Sequence, residues 1–382
     1  MNILMINYEY PPLGGGGGVV SKMLAEALIN RHNITVITSR FGHQALYETV
    51  NGVELIRTPV LFRSDRNAAT IISMLAFFPA SLWIGLKLLR KRKYDVIHSM
   101  FAIPSAPSGL LLAKIFRKPH LLTVFGGDIY DPSKKLSPHR TPILHQTVEN
   151  VLYASDRVVT MSEDIRRRTK TYYYRAPKEI FLIKGGIPKP IFTPSQRSDY
   201  GFDDEDILLI TIGRLVPRKA VHKLIQVIKL LGDARVKLIV IGDGPERGML
   251  EQTAIDLNVK NQIFFGGNVD ENAKFALLNF SDIYVSTSQH EGFGLVFLEA
   301  MSVGLPIVCY DNGGQTDFLK DGETGVLVEL GNRAAFADKL RALIVKPALR
   351  TQMETFNRRY IHEFFIENIA NQYEKQYRAL AE

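Results

Sequence analysis

Two glutamates stand eight residues apart in EGFGLVFLEA, residues 291–300. Eight residues leave a rotation of about 80° on a helix, so one helix would not superpose Glu291 on Glu299. Gly292 and Gly294 flank Phe293 and predict a loop that turns into a helix near residue 295. Glu291 then lies in the loop and Glu299 about one turn inside the helix, so that both reach one ligand from two levels. The glycines let backbone N–H groups approach that ligand, and a helix N-terminus favours an anion. Isolated glutamates are mostly solvated surface. Apolar residues surround Glu299, which favours a bound partner.

A matching set of cations lies upstream. GRLVPRKA, residues 213–220, puts Arg214, Arg218 and Lys219 after an apolar run and at the start of a helical pattern. Cations there oppose the helix macrodipole unless an anion sits among them. A diphosphate fits, with arginine giving forked donors and lysine a point charge. GDGPER (242–247) and GGQTD (313–317) are further loops on the same predicted sheet edge.

The third feature is PPLGGGGGVV, residues 11–20. A linker does not interrupt a strand and helix one loop apart. The dinucleotide pattern G-x-G-x-x-G fails, because its last position falls on Val19 or Val20, and Ser39-Arg40 stands where an acidic residue should follow the second strand. No Gly-Lys-Ser/Thr follows either. What remains is a glycine loop opening a helix, either an anion-facing wall or a permissive turn.

The elements that position these residues alternate. Short apolar runs at 2–7, 34–38, 52–58, 94–98, 120–125, 156–161 and 179–184 read as strands, with helical stretches between several of them. The second half repeats the pattern at 206–213, 236–242, 261–267, 282–287, 306–310 and 324–330. This is the signature of parallel sheets covered on both faces. The break is PKPIFTPSQRSDYGFDDED (188–206), which lacks a long apolar period. Two doubly wound halves imply ligand binding at the carboxyl ends of strands, in a cleft between the domains. Asp204 and Asp206 in this break formally match an acidic metal motif, but lie away from the predicted strand ends, and no metal site is expected.

The chain has 382 residues, 46% of them apolar, enough for two cores. Its single cysteine, Cys309, excludes an intramolecular disulfide and any cysteine-based zinc site, and points to a reducing compartment. The net charge of +8 favours anionic partners. The N-terminus lacks the basic lead and cleavage pattern of a signal peptide. Residues 67–86 carry no charge and are followed by Arg90-Lys91-Arg92-Lys93. A packed crossover between strands of one sheet and an interfacial membrane contact both remain open for that segment. A span is disfavoured, because both flanking strands lie on one side.

EGFGLVFLE, GRLVPRK, GDGPE and YPPLGG together resemble glycosyltransferase family 4, the retaining nucleotide-sugar enzymes of the GT-B fold, along nearly the whole chain. The resemblance implies an α/β architecture of two Rossmann-like, doubly wound domains facing an interdomain cleft. An acceptor-binding domain would span 1–188, with a C-terminal helix (362–382) packing back on it, and a donor-binding domain would span 189–361. It further implies that Glu299 holds the ribose hydroxyls and Glu291 contacts the donor sugar. Gly292, Phe293, Gly294 and Leu295 would meet sugar hydroxyls and phosphate. Arg214 and Lys219 would meet the diphosphate, with Gly242 beside them and Gly15 and Gly16 facing it. The donor would be a UDP- or GDP-hexose, transferred with retention and without a metal or other cofactor. The acceptor would be a glycan or lipid-linked molecule in bacterial surface-glycan or glycolipid synthesis. The expected location is cytoplasmic, with a peripheral contact on the inner face of the plasma membrane left open, and no nucleic-acid partner is expected.

Two departures bear on catalysis. Phe125, in TVFGGD, stands where the family commonly has a histidine close to the reacting carbon. Met100 follows DVIHS where a second histidine is frequent. That leaves His98 and Asp128 as candidate catalytic groups beside Glu291, with His98 equally readable as a core histidine. Phe125 also leaves room for a donor-fold binding protein without turnover, and the doubled Rossmann pattern for an NADP-type oxidoreductase.

Overall fold

NILMIN, residues 2–7, is apolar between its two asparagines, and as strand β1 (Asn2–Asn7) it is buried between two parallel neighbours. Such a run, hydrophobic at both parities, is what a strand covered on both faces requires. In this computed structural model every residue is described except 60–62, 64–69, 132–135 and 178. Residues 67–69 of the uncharged segment therefore lie outside the described residues. The chain divides into two units, residues 1–188 with 365–382, and residues 189–364.

In the first unit, α1 (Gly16–Leu28), β2 (Asn33–Ser39), β3 (Tyr47–Val50), β4 (Val53–Thr58) and α2 (Ile71–Lys91) follow β1. Next come β5 (Val96–Met100), α3 (Ala106–Phe116), β6 (His120–Val124), α4 (Pro142–Ala154), β7 (Arg157–Thr160), α5 (Glu163–Tyr172) and β8 (Phe181–Leu182). The sheet order is β3-β4-β2-β1-β5-β6-β7-β8, parallel except for the β3–β4 hairpin. The apolar runs of the sequence do not mark β3, but Asn51-Gly52, both at positive φ, carries the two-residue hairpin turn that matches strand twist.

In the second unit the elements are β9 (Ile207–Ile212), α6 (Val221–Leu231), β10 (Val236–Ile241), α7 (Arg247–Asp256), β11 (Ile263–Gly267) and α8 (Glu271–Phe280). They continue with β12 (Ile283–Ser286), α9 (Leu295–Ser302), β13 (Ile307–Tyr310), β14 (Gly325–Val328), α10 (Arg333–Ile344) and α11 (Pro347–Tyr360). The order β11-β10-β9-β12-β13-β14 is wholly parallel and reverses direction between β9 and β12, the switch point at which open α/β sheets bind ligands.

The last helix, α12 (Ile366–Ala381), belongs to the first unit. Phe365 bridges to Ile187 and leads α12 onto α1, where Ile369, Tyr373 and Tyr377 enter the same core as Met5, Leu24 and Val96. The opposite face of that sheet is filled by Leu4, Ile6, Phe77, Ile97 and Leu112.

Candidate functional site

At the carboxyl edge of the second sheet, four loops are stitched to one another through the backbone. The loop after β9 bonds to the loop after β10, with Leu215 N–H donating to Asp243 O at 3.0 Å and Glu246 N–H to Leu215 O at 3.2 Å. It also bonds to the loop after β12, where Gln289 N–H donates to Arg218 O and the Thr287 hydroxyl to Ala220 O. The loop after β13 closes the set, because Gly314 N–H donates to Glu291 O at 2.7 Å. Gly313 has φ +118°, and a Cβ there would lie 2.8 Å from the Glu291 backbone, so only glycine permits this approach.

Glu291 is the hub. Its Oε1 accepts from Lys219 Nζ at 2.5 Å and its Oε2 from Arg218 Nη1 at 3.0 Å; Arg218 also donates to the His290 carbonyl. Only 6% of Glu291 is exposed. Burial pushes its carboxyl up, but Lys219 and then Arg218 outweigh that and hold it at about 2. Arg218 therefore joins the cations that the spacing placed here, whereas Arg214 is exposed on the same loop.

Glu299 lies one turn inside α9, buried, with Oε1 accepting from Lys274 Nζ at 2.9 Å. Its Oε2 is buried without a hydrogen-bond partner. Burial raises its carboxyl above the ordinary range, against the pull of Lys274. Lys274 sits on α8, nine residues before β12 begins at Ile283, and nothing in its local pattern separates it from a solvated helix lysine. Its role becomes visible only when α8 packs beside α9's carboxylate.

The remaining residues of the EGFG loop split by role. Phe293 is buried against Phe318, with ring centroids 4.9 Å apart, and anchors the loop. Gly294 is the N-cap of α9 in the left-handed region (φ +93°), and Leu295 starts the helix. Leading N–H groups of a helix lack intrahelical acceptors, so Gly294 and Leu295 bring backbone N–H groups to this edge, and Gly292 lies in the loop before them. Gly242 does not offer its own N–H, which donates to Gly267 O at 2.7 Å.

In the first unit the catalytic candidates change character. His98 is fully buried in β5, with Nδ1 2.7 Å from the Tyr377 hydroxyl and Nε2 2.8 Å from Thr123 Oγ1. Burial lowers its pKa to about 3. A ring with both nitrogens engaged in the core has neither a lone pair nor a proton for a substrate, so His98 is a structural histidine tying β5 to α12. Asp128 is also buried. Its Oδ1 accepts from Phe125 and Gly126 N–H, and its Oδ2 from Ala102 N–H at 2.7 Å. Burial raises it to about 6 against those bonds. Asp128 therefore pins the loops after β5 and β6 together and does not stand in for a missing histidine side chain. Phe125 packs on Phe101, with centroids 4.5 Å apart and the rings tilted by 36°.

The glycine run resolves residue by residue. Gly14 has φ +88°; a Cβ on Gly17 would strike the Phe101 ring, and one on Gly18 would lie 2.9 Å from Glu9 O. At Gly15 and Gly16 nothing lies within 4 Å. Gly15 caps α1, and its N–H donates to Glu9 Oε2 at 3.2 Å. Three of the five glycines thus serve packing, and two line open space.

Residues 14–189 match the family model described as Glycosyltransferase Family 4, and residues 192–360 match Glycosyl transferases group 1. The chain is similar to N-acetyl-alpha-D-glucosaminyl L-malate synthase of Bacillus anthracis, with 28% identity over 392 residues covering 98% of this chain and 96% of that protein. Among solved structures, a sucrose-phosphate synthase from Thermosynechococcus elongatus superposes with a TM-score of 0.84 at 21% identity, covering 99% of this chain and 98% of that one. Anabaena Alr3699/HepE in complex with UDP-glucose superposes with a TM-score of 0.80 at 19% identity, covering 99% of this chain and 100% of that one.

Proposed function

The chain belongs to the family 4 glycosyltransferases, with two Rossmann-like domains of the GT-B class, and from that premise we propose that it transfers a hexose from a UDP- or GDP-sugar, with retention, to a glycan or lipid-linked acceptor. Family membership sets aside the non-enzymatic and oxidoreductase readings. The observation that carries the donor assignment is Glu299. A buried carboxylate oxygen without a partner is costly unless a ligand donates to it. The ribose hydroxyls of a nucleotide sugar are donors of the right kind, and the HepE complex shows this fold holding UDP-glucose in that relative.

Lys219 and Arg218 then turn from Glu291 toward the diphosphate, or share it with Glu291, and Arg214 adds a third cation. As the bond between the sugar C1 and phosphate oxygen breaks, negative charge grows on the leaving nucleotide. The fixed cations and the start of α9 stabilise that charge. The acceptor oxygen bonds to C1 on the same face, and its proton passes to the leaving phosphate oxygen. This route uses no side-chain base from the first unit, in keeping with the engaged nitrogens of His98. We assign no step to a metal or cofactor, so added EDTA should leave the rate unchanged. Gly15 and Gly16 are assigned to the ligand because side chains there would meet no protein atom.

A thermal-shift screen of UDP- and GDP-sugars tests the reading, since a ligand that binds only the folded state raises the melting temperature. One nucleotide class should stabilise the wild type and fail to stabilise Glu299→Ala. Equal stabilisation of both proteins would refute the ribose assignment.

A further inference from the structure

Helix α2 is apolar on its outer side as well as on the side that packs against the core. A surface helix ordinarily buries its apolar stripe and exposes its polar one. Here the buried positions are Ser73, Phe77, Ser81 and Gly85. The Ser73 hydroxyl lies 2.6 Å from the Tyr8 hydroxyl, and Ser81 Oγ donates to Ser108 Oγ at 2.9 Å. Gly85 abuts Leu112 with no room for a Cβ. Outward, at helical spacing, stand Ile71 (54% exposed), Leu75 (66%) and Trp83 (59%), with Ile72 and Phe78 between them. Helix α3 packs beside α2 and adds exposed Leu111 and Ile115.

Charge tells what this face meets. Residues 71–93 and 106–118 hold eight basic residues and no acidic one. Lys87 lies over the Trp83 ring at 3.2 Å and Arg90 continues the exposed stripe, so cations follow the apolar surface at one end. Arg92 is paired with Glu54, whereas the three arginines of α5 pair with Glu163 and Asp164 on their own helix and add no patch of this kind. A contiguous apolar face of this sort marks an interaction site. A second copy of the same face would bring like charges together. A protein partner would have to offer an apolar surface ringed by acids, whereas an anionic bilayer offers both properties at once.

We propose that the α2–α3 face docks on an anionic lipid leaflet, with Ile71, Leu75, Phe78 and Trp83 entering the acyl boundary and Lys87 and Arg90 reaching the headgroups. The helix lies on the leaflet rather than crossing it, because Phe77 enters the core of the first unit and the Ser73 and Ser81 hydroxyls tie it to Tyr8, just after β1, and to Ser108 on α3. The proposal rests on the first unit alone and is independent of the donor assignment.

Trp83 is the only tryptophan in the chain, so its emission reports on this face directly. The full-length protein is titrated with vesicles of phosphatidylcholine alone and with vesicles containing about 30% phosphatidylglycerol, at low and high salt. The expected result is a blue shift with the anionic vesicles only, weakened by salt, and co-flotation of the protein. Leu75→Ser and the pair Lys87→Glu with Arg90→Glu keep the tryptophan and sit at exposed positions, so they should melt like the wild type. Each should bind anionic vesicles at least about tenfold more weakly, the scale of about two headgroup charges or one buried leucine. Three results would overturn the proposal: no shift with any vesicle, binding that both variants retain, or a shift that follows protein concentration without lipid and so marks self-association.

Discussion

Lys274 on α8 holds one oxygen of Glu299 at 2.9 Å and leaves the other buried and unpartnered. The pair explains how a carboxylate that burial would protonate stays aimed and available. Lysine supplies the countercharge on one side, and the opposite side is kept for a donor from outside the chain.

Lys274 is therefore expected to act as a positioning residue. Lys274→Met should raise KM for the donor at least about tenfold, near 1.4 kcal/mol, with a smaller change in kcat. It should also destabilise the fold by about 3 kcal/mol, since it strands a buried charge. Lys274→Arg should recover most of both, and Lys274→Met with Glu299→Leu should recover stability but not donor binding. Steady-state kinetics and urea denaturation separate the two effects.

Lys219→Ala and Glu299→Ala should each lower kcat/KM for the donor at least about tenfold. Wild-type kinetics in both would show that the diphosphate and ribose assignments are wrong.

Glu291 gives a pH signature. Its carboxyl is held at about 2 in the folded protein against an ordinary 4.5, so the unfolded chain binds the proton first. The stability that Glu291 contributes is complete above about pH 4.5 and is lost as pH falls toward 2. Melting temperatures of wild type and Glu291→Gln should converge across that window, and they should stop doing so when Lys219 is also removed.

His98 and His120 both have folded pKa values near 3, lowered by burial from 6.5. The unfolded chain takes up protons first, so stability should fall as pH drops below 6.5, by up to about 1.4 kcal/mol per pH unit for each histidine. The rate of sugar transfer should carry no titration of His98 between pH 5 and 8. NMR titration of its ring, which should stay neutral across that range, checks the point.

The glycine run separates function from packing. Gly16→Val should fold, because nothing lies within 4 Å of the new Cβ, yet lose at least about tenfold in transfer rate. Gly17→Ala should instead cost about 1–3 kcal/mol of stability through overpacking against Phe101. Unchanged activity in Gly16→Val would remove Gly15 and Gly16 from the ligand site.

Much of this protein is written locally. The alternation of short apolar strands with helical stretches already implies two doubly wound sheets, because strands covered on both faces must be apolar at both parities. The loop-to-helix turn at residue 295 is likewise legible, since Gly292 and Gly294 break the pattern where the helix begins. What the sequence could not decide is which polar groups find each other. Arg218 and Lys219 look alike as cations, and only the stitched loops bring both to Glu291. Lys274 becomes the partner of Glu299 although the two stand 25 positions apart in sequence. His98 has the residue type of a catalyst, but α12 returns from the far end of the chain and engages its ring from Tyr377. Spacing encodes secondary structure because helices and strands repeat over a few residues. Ionisation and availability depend on burial and on partners distant in sequence, which exist only once the sheets and helices have packed.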